Sequence, residues 1–284
     1  MATSAGRSLL RNPRTIAWLL RRSLLSSFDD NCFGIAKGAA YSALLSFFPV
    51  LTSAATILVQ TRAEFVSTTM EDALSQVVPP GTGDLVMQQF RVNGARPLSL
   101  LIVAGLVSLW AASGVIKSLI EGFQSVYKVP RSRSFLHGSA VAMSLVLLST
   151  LPLVGASVLI LFGGQIEKVV LKNIEVNPLF WQWLSRIARY VLAFMTTVVV
   201  TAMLYYFGPY RQQRWRFVWP GAVLATILWL LATSGFAWYV RNIAHYNVLY
   251  GSVGAALALL VWMYLMAVIA LIGCEFNAEY ERTR

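Results

Sequence analysis

Two charged residues stand where an apolar chain has least use for them. Lys37 lies within DDNCFGIAKGAAYSALLSFFPVL, residues 29–51, and Glu275 lies within GCEFNAEY, residues 273–280. An ammonium at membrane depth attracts an anionic headgroup or an acidic side chain, and Asp29 and Asp30 precede it as candidate partners. The alternative is that Lys37 snorkels, its stem in hydrocarbon and its charge at the headgroups. Glu275 follows a long apolar run, near the negative end of a helix dipole, so its carboxylate needs water or a cation. Lys37, Lys117 and an arginine of a neighbouring loop are candidates. A structural salt bridge and a transport role both fit it, and Asn277 lies beside it.

Prolines at depth form a second group. Pro49 falls past the middle of one apolar run and Pro152 in the middle of another. Each removes a backbone donor and frees carbonyls one turn earlier. A packed kink is the usual result; a bent helix flanking a polar cavity is the functional one. Tyr41 and Ser46, on the turns before Pro49, are placed to meet freed polar groups. Lys37, Tyr41, Ser46, Pro49, Pro152, Glu275 and Asn277 are therefore the candidate cavity or gating residues.

Catalytic chemistry finds little support. The chain has no GxSxG, HExxH or Walker A sequence. His137 and His245 fall in loops on opposite sides of the membrane in the topology below, so they share no metal or proton relay. Cys32 and Cys274 fall near one face, in a reducing compartment where a disulfide is not expected. No metal site and no cofactor are expected.

The elements that hold these residues follow from composition. Of the 284 residues 57% are hydrophobic and 12% charged, about half the charge of a soluble domain. The apolar residues fall into blocks near or above the roughly 20 residues a bilayer requires. The fold class expected is all-α: a polytopic membrane protein with six transmembrane helices at about 33–59, 98–116, 139–162, 187–207, 218–240 and 248–274. Residues 1–28 form a separate basic segment, and 29–284 form the transmembrane domain. Ile16, Leu20, Leu24 and Phe28 recur every four residues among arginines, which predicts an amphipathic helix lying on the membrane interface. Val66, Met70, Leu74 and Val77 predict helical structure in the loop between spans one and two.

Loop charge sets the orientation. With the N-terminus inside, the inner segments hold Arg7, Arg11, Arg14, Arg21, Arg22, Lys117, Lys128, Arg131, Arg133, Arg211, Arg214, Arg216, Arg282 and Arg284. The outer loops hold Arg62, Arg91, Arg96, Lys168, Lys172 and Arg241. The excess predicts N-in and C-in. The same bias explains the net charge of +11 without nucleic acid, which is not an expected partner. Arg14, Arg21, Arg22, Arg186 and Arg189 are candidate contacts for anionic lipid headgroups. Gly251 and Ala255, and Gly254 and Ala258, are four apart, a spacing that lets another helix approach closely. A homo-oligomer is compatible with such a surface.

Three stretches carry a family resemblance: AAYSALLSFFPVL (39–51), YRQQRWRFVWPGAVLA (210–225) and VLYGSVGAALALLVWMYLMAVIALIGCEFNAE (248–279). They resemble the YihY/BrkB family of bacterial inner-membrane proteins, with similar spacing over most of 28–280. The resemblance implies six spans in the inner membrane and no known cofactor. It implies no established activity: members once carried a ribonuclease BN label, now regarded as a misassignment, and some are linked to serum resistance and envelope lipids. Pro49, Tyr250, Gly251, Gly254, Glu275 and Asn277 match its motif by position.

The function expected is a non-enzymatic transporter or flippase-like protein for an amphipathic, anionic envelope molecule, with a cavity between spans one, three and six. A membrane scaffold for envelope proteins is the alternative, and a membrane-bound ribonuclease a remote one.

Overall fold

A computed structural model describes residues 13–60, 98–129, 135–171, 178–242 and 251–283. The helical reading of the loop between spans one and two falls on residues outside these, as do Tyr250 and His245.

The described residues are helical almost throughout. They form α1 (Pro13–Asp29), α2 (Cys32–Gln60), α3 (Leu98–Val126), α4 (Phe135–Leu171), α5 (Pro178–Phe207), α6 (Trp219–Asn242) and α7 (Gly251–Arg282), with a short 3-10 turn at Trp215–Phe217. Six of them, α2 to α7, are long and apolar enough to cross a membrane. Several overrun the spans read from hydropathy: α3 continues through Lys117 and Glu121 to Val126, and α4 extends to Leu171. A helix need not end where the hydrocarbon does, because its backbone bonds are internal and i,i+4 charged pairs suit it in water. α2 and α4 run continuously through Pro49 and Pro152.

Each spanning helix packs on the next, and α7 returns to α2, so the six close into a ring. α7 also touches α1 and α3. α4 is the peripheral member, contacting α3 and α5, with Leu147, Leu148, Leu151 and Val154 exposed. An outward apolar face is what a bilayer solvates.

Tight corners join the helices at one end of the ring. Asn31 turns α1 into α2 with φ 54°, a left-handed conformation that asparagine tolerates better than most residues. Lys128 ends α3 in the same conformation; Val129 N–H bonds to Gln124 O at 2.9 Å and Lys128 N–H to Ser125 O at 3.0 Å. This is a Schellman-type C-cap that satisfies carbonyls the helix itself leaves open. Gln213 Nε2 does the same for α5, donating to Tyr205 O and, at 3.1 Å, to Tyr206 O.

α1 buries a second face beside the expected apolar one, whose Leu24 and Phe28 stay exposed. Its buried stripe is Leu19, Ser23 and Ser27, packed with α7, while Trp18, Leu24, Leu25 and Phe28 are exposed. Ser23 donates to Leu19 O at 2.8 Å and Ser27 to Ser23 O at 2.7 Å, so both hydroxyls enter the contact already satisfied. Leu19 joins Phe217, Phe276 and Tyr280 in an apolar cluster. α1 therefore has two working faces, a small-residue face on α7 and an apolar face turned outward.

Candidate functional site

Among the described residues the C-terminal third of α7 is the most buried stretch, every residue from Leu271 to Tyr280 being buried. Two of its polar side chains, Asn277 and Glu279, are matched to partners on other elements. Asn277 Oδ1 accepts the N–H of Gly221 at 2.6 Å, and its Nδ2 donates to Val218 O at 3.0 Å. Gly221 is the third residue of α6, whose first turn carries N–H groups with no intrahelical partner, so Asn277 caps a neighbouring helix from a distance. Pro220 beside it has no N–H to satisfy.

Two glycines make this reach possible. A methyl at Gly221 would overlap Gly273 O and the Asn277 amide; one at Gly273 would press on the Tyr205 hydroxyl, Ala225 and Gly221 O. α6 and α7 thus touch backbone to backbone, the kind of approach small residues permit in a membrane. Tyr205 locks the third side, its hydroxyl donating to Ala270 O at 2.6 Å and its ring edge-on to Phe123 at 5.3 Å.

One turn further on, acids meet guanidinium groups. Glu279 is 1% exposed and pairs with Arg22 Nε at 2.5 Å and Arg282 Nη1 at 2.5 Å, while Ser26 donates to it at 3.3 Å. Arg282 Nη2 also donates to Val126 O at 2.9 Å. One carboxylate therefore binds α1, α3 and α7 together. Arg211 pairs with Glu281 at 2.9 Å and lies 4.6 Å from the Tyr127 ring centroid. Burial pushes the Tyr127 phenol well above its ordinary range, so it faces Arg211 as a neutral ring.

Glu275 lies one turn before Glu279 and is fully buried. Neither of its oxygens has a hydrogen-bond donor. Nearby, Ser125 on α3 donates to the backbone O of Asp30, on the half-buried corner after α1, at 2.9 Å.

Above this layer, away from the ion pairs, a cavity of about 350 Å³ opens within the ring. Its walls come from α2 (Ala39, Ala43), α3 (Val115, Leu119, Phe123), α5 (Thr201, Leu204, Tyr205), α6 (Ala225, Thr226, Trp229) and α7 (Trp262, Met263, Met266, Ala267, Ile269, Ala270). It is apolar apart from the Thr201, Thr226 and Tyr205 hydroxyls and the indole N–H groups. Thr201 and Thr226 donate to Thr197 O and Ala222 O, each at 2.8 Å, and so present mainly methyl groups.

The residues singled out from sequence divide in position. Asn277 and Glu275 fall in the buried polar layer. Lys37 and Tyr41 are exposed on α2. Ser46 is buried and donates to Ala43 O at 2.9 Å. Pro49 and Pro152 are half-buried, and α4, which carries Pro152, contributes nothing to the cavity wall. Gly254, Ala255 and Ala258 are buried near the start of α7, which Gly251 opens. Arg22 is engaged by Glu279; Arg14, Arg21 and Arg186 are exposed, and Arg186 lies 5.7 Å from the Trp183 ring centroid. Arg189 is half-buried. Cys32 and Cys274 are buried free thiols. No group of three or more His, Cys, Asp or Glu suited to a metal is present among the described residues.

The family described as Virulence factor BrkB matches residues 25–284. The chain belongs to the BrkB family. This BrkB-family protein is 29% identical to the ribonuclease-like protein YfkH of Bacillus subtilis (strain 168), over 86% of the chain and 89% of the relative. It is 26% identical to a UPF0761 membrane protein of Nitrosospira multiformis, covering 92% of the chain but 60% of the longer relative. A UPF0761 membrane protein of Alkalilimnicola ehrlichii is 28% identical, with 87% of the chain and 55% of that relative covered. The chain thus spans little more than half the length of these last two. No solved structure matches it. Two of the stretches behind the family resemblance, 210–225 and 248–279, meet at the Gly221–Gly273–Asn277 contact.

Proposed function

We propose that this BrkB-family membrane protein is a non-enzymatic inner-membrane transporter or flippase-like protein for an amphipathic, anionic envelope lipid. The observation that carries the reading is the apolar cavity of about 350 Å³ inside the ring. Its volume suits one apolar portion of a lipid rather than a whole molecule. Five spans supply its walls, so movement of any of them against the others changes its shape. The exposed basic residues Arg214 and Arg216 lie between α5 and α6, two helices that line the cavity, and give an anionic headgroup its counter-charge. The excess of arginine and lysine at this end supports its assignment to the cytoplasmic side, with both described termini inside.

The test is reconstitution of the purified full chain into liposomes carrying a labelled anionic phospholipid, with an impermeant quencher outside. Under the proposal the protein exposes label from the inner leaflet faster than protein-free liposomes do, with or without an imposed gradient. Equal rates under every gradient contradict it.

A further inference from the structure

The packing of α1 on α7 leaves its opposite side uncovered. There Trp18, Arg21, Leu25 and Phe28 recur at helical spacing, and all four are exposed. The face is graded along the helix: Leu24, Leu25 and Phe28 fill its C-terminal half, and arginine and tryptophan its N-terminal half. Asp29, the last residue, is the one acid of α1. The apolar half runs into a spanning helix. The Phe28 ring lies 4.5 Å from that of Phe33, in the first turn of α2. Phe33, Lys37 and Tyr41 follow one another at four-residue spacing on α2, and Lys37 and Tyr41 are exposed. The two aromatic rings therefore join the outward faces of α1 and α2, with Arg21 to one side of the pair and Lys37 to the other.

We propose that this joined surface binds anionic phospholipid headgroups, with Arg21 and Lys37 as its cations. The dimensions fit a bilayer edge. Arg21 stands two turns, about 10 Å of helix, before Phe28, and Lys37 one turn, about 5 Å, past Phe33. A headgroup layer is roughly 5–8 Å deep, so with the ring pair at the hydrocarbon boundary both long side chains reach the phosphates. The apolar side chains between the cations need hydrocarbon to cover them, which a soluble polyanion does not supply and a lipid does. The cations then select its charge. Arg22, next to Arg21, is held by Glu279, so α1 stays docked on α7 while Arg21 meets the phosphate. The surface stands whether or not the protein moves lipid.

A nitroxide-quenchable fluorophore on Leu25→Cys tests it, in the full chain reconstituted in phosphatidylcholine vesicles. Cys32 and Cys274 are buried, so the label goes to the introduced thiol. Spin-labelled phosphatidylglycerol should quench it more than spin-labelled phosphatidylcholine at equal mole fraction, and added salt should narrow the difference. Arg21→Gln and Lys37→Gln, at exposed positions, should each cut the preference about fivefold, the weight of one basic residue at an anionic surface. Quenching by neither lipid, which would put α1 off the bilayer, overturns the proposal. So does equal quenching by the two, or a preference that survives in the Arg21→Gln, Lys37→Gln double variant.

Discussion

Asn277 Oδ1 accepts the backbone N–H of Gly221 at 2.6 Å, joining two helices whose residues stand 56 apart in sequence. The same amide returns a hydrogen to Val218 O, so one side chain fixes the start of α6 against the end of α7. Asn277→Leu leaves the Gly221 N–H buried without its acceptor, while Val218 O keeps the Ala222 N–H at 3.2 Å. It should lower stability by about 1–3 kcal/mol, the cost of one unsatisfied buried group. Asn277→Asp keeps the acceptor for Gly221 and should cost less. Thermal unfolding in detergent ranks the two.

The glycines at that crossing differ from others in the spans. Gly221→Ala and Gly273→Ala each drive a methyl into neighbouring backbone and should destabilise by about 1–3 kcal/mol. Gly235, in α6, has nothing within 4 Å of an added Cβ. Gly235→Ala should be neutral or stabilising by up to about 1 kcal/mol, the helix-propensity difference. The same unfolding experiment reads all three, and equal effects would show that the close approach is not what matters.

Glu279 is the ionic tie. Its carboxylate is buried and holds Arg22 and Arg282. Removing the acid from a buried pair is expected to cost about 3–5 kcal/mol. Arg22 and Arg282 are more than a third exposed, so Arg22→Ala should cost only about 1 kcal/mol. Arg22→Ala should still loosen α1, raising the rate at which a protease cuts near Trp18. An unchanged digestion pattern would mean that the Leu19–Ser23–Ser27 stripe holds α1 unaided.

The cysteines report on packing. Cys32 and Cys274 are buried, so a membrane-impermeant maleimide should label neither in the folded protein and both after denaturation. Rapid labelling of Cys274 would contradict the packing described for α7.

Much of the fold was legible because the cause is local. Six apolar runs of bilayer length dictate six spanning helices whatever surrounds them. The site was legible only where one helix carried the signal. The end of α7 could be read as needing a cation from its acids alone, but the arginines went to Glu279, one turn beyond Glu275 and four residues on. That choice depends on where α1 and Arg22 dock, which no local pattern states. Asn277 stood out as polar at a helix end, yet its partners are backbone atoms of another helix, and backbone has no sequence signature. The cavity was expected beside the prolines, between spans one, three and six. It lies instead among spans one, two, four, five and six, where Ala39, Ala43, Ala225, Ala267 and Ala270 leave room. Small residues facing one another across a bundle mark a cavity only after the helix order is known.

The central claim is that an envelope lipid passes through that cavity. Ala267 is 7% exposed and part of its wall; Ala267→Phe fills space without adding charge. The deciding measurement is the rate of labelled anionic phospholipid movement in liposomes bearing wild type or Ala267→Phe at matched folded amounts. The account predicts that the wild type moves lipid and that Ala267→Phe slows it at least tenfold, a change of about 1.4 kcal/mol in barrier. Movement by the wild type no faster than in protein-free liposomes, or movement undiminished in Ala267→Phe, would contradict it.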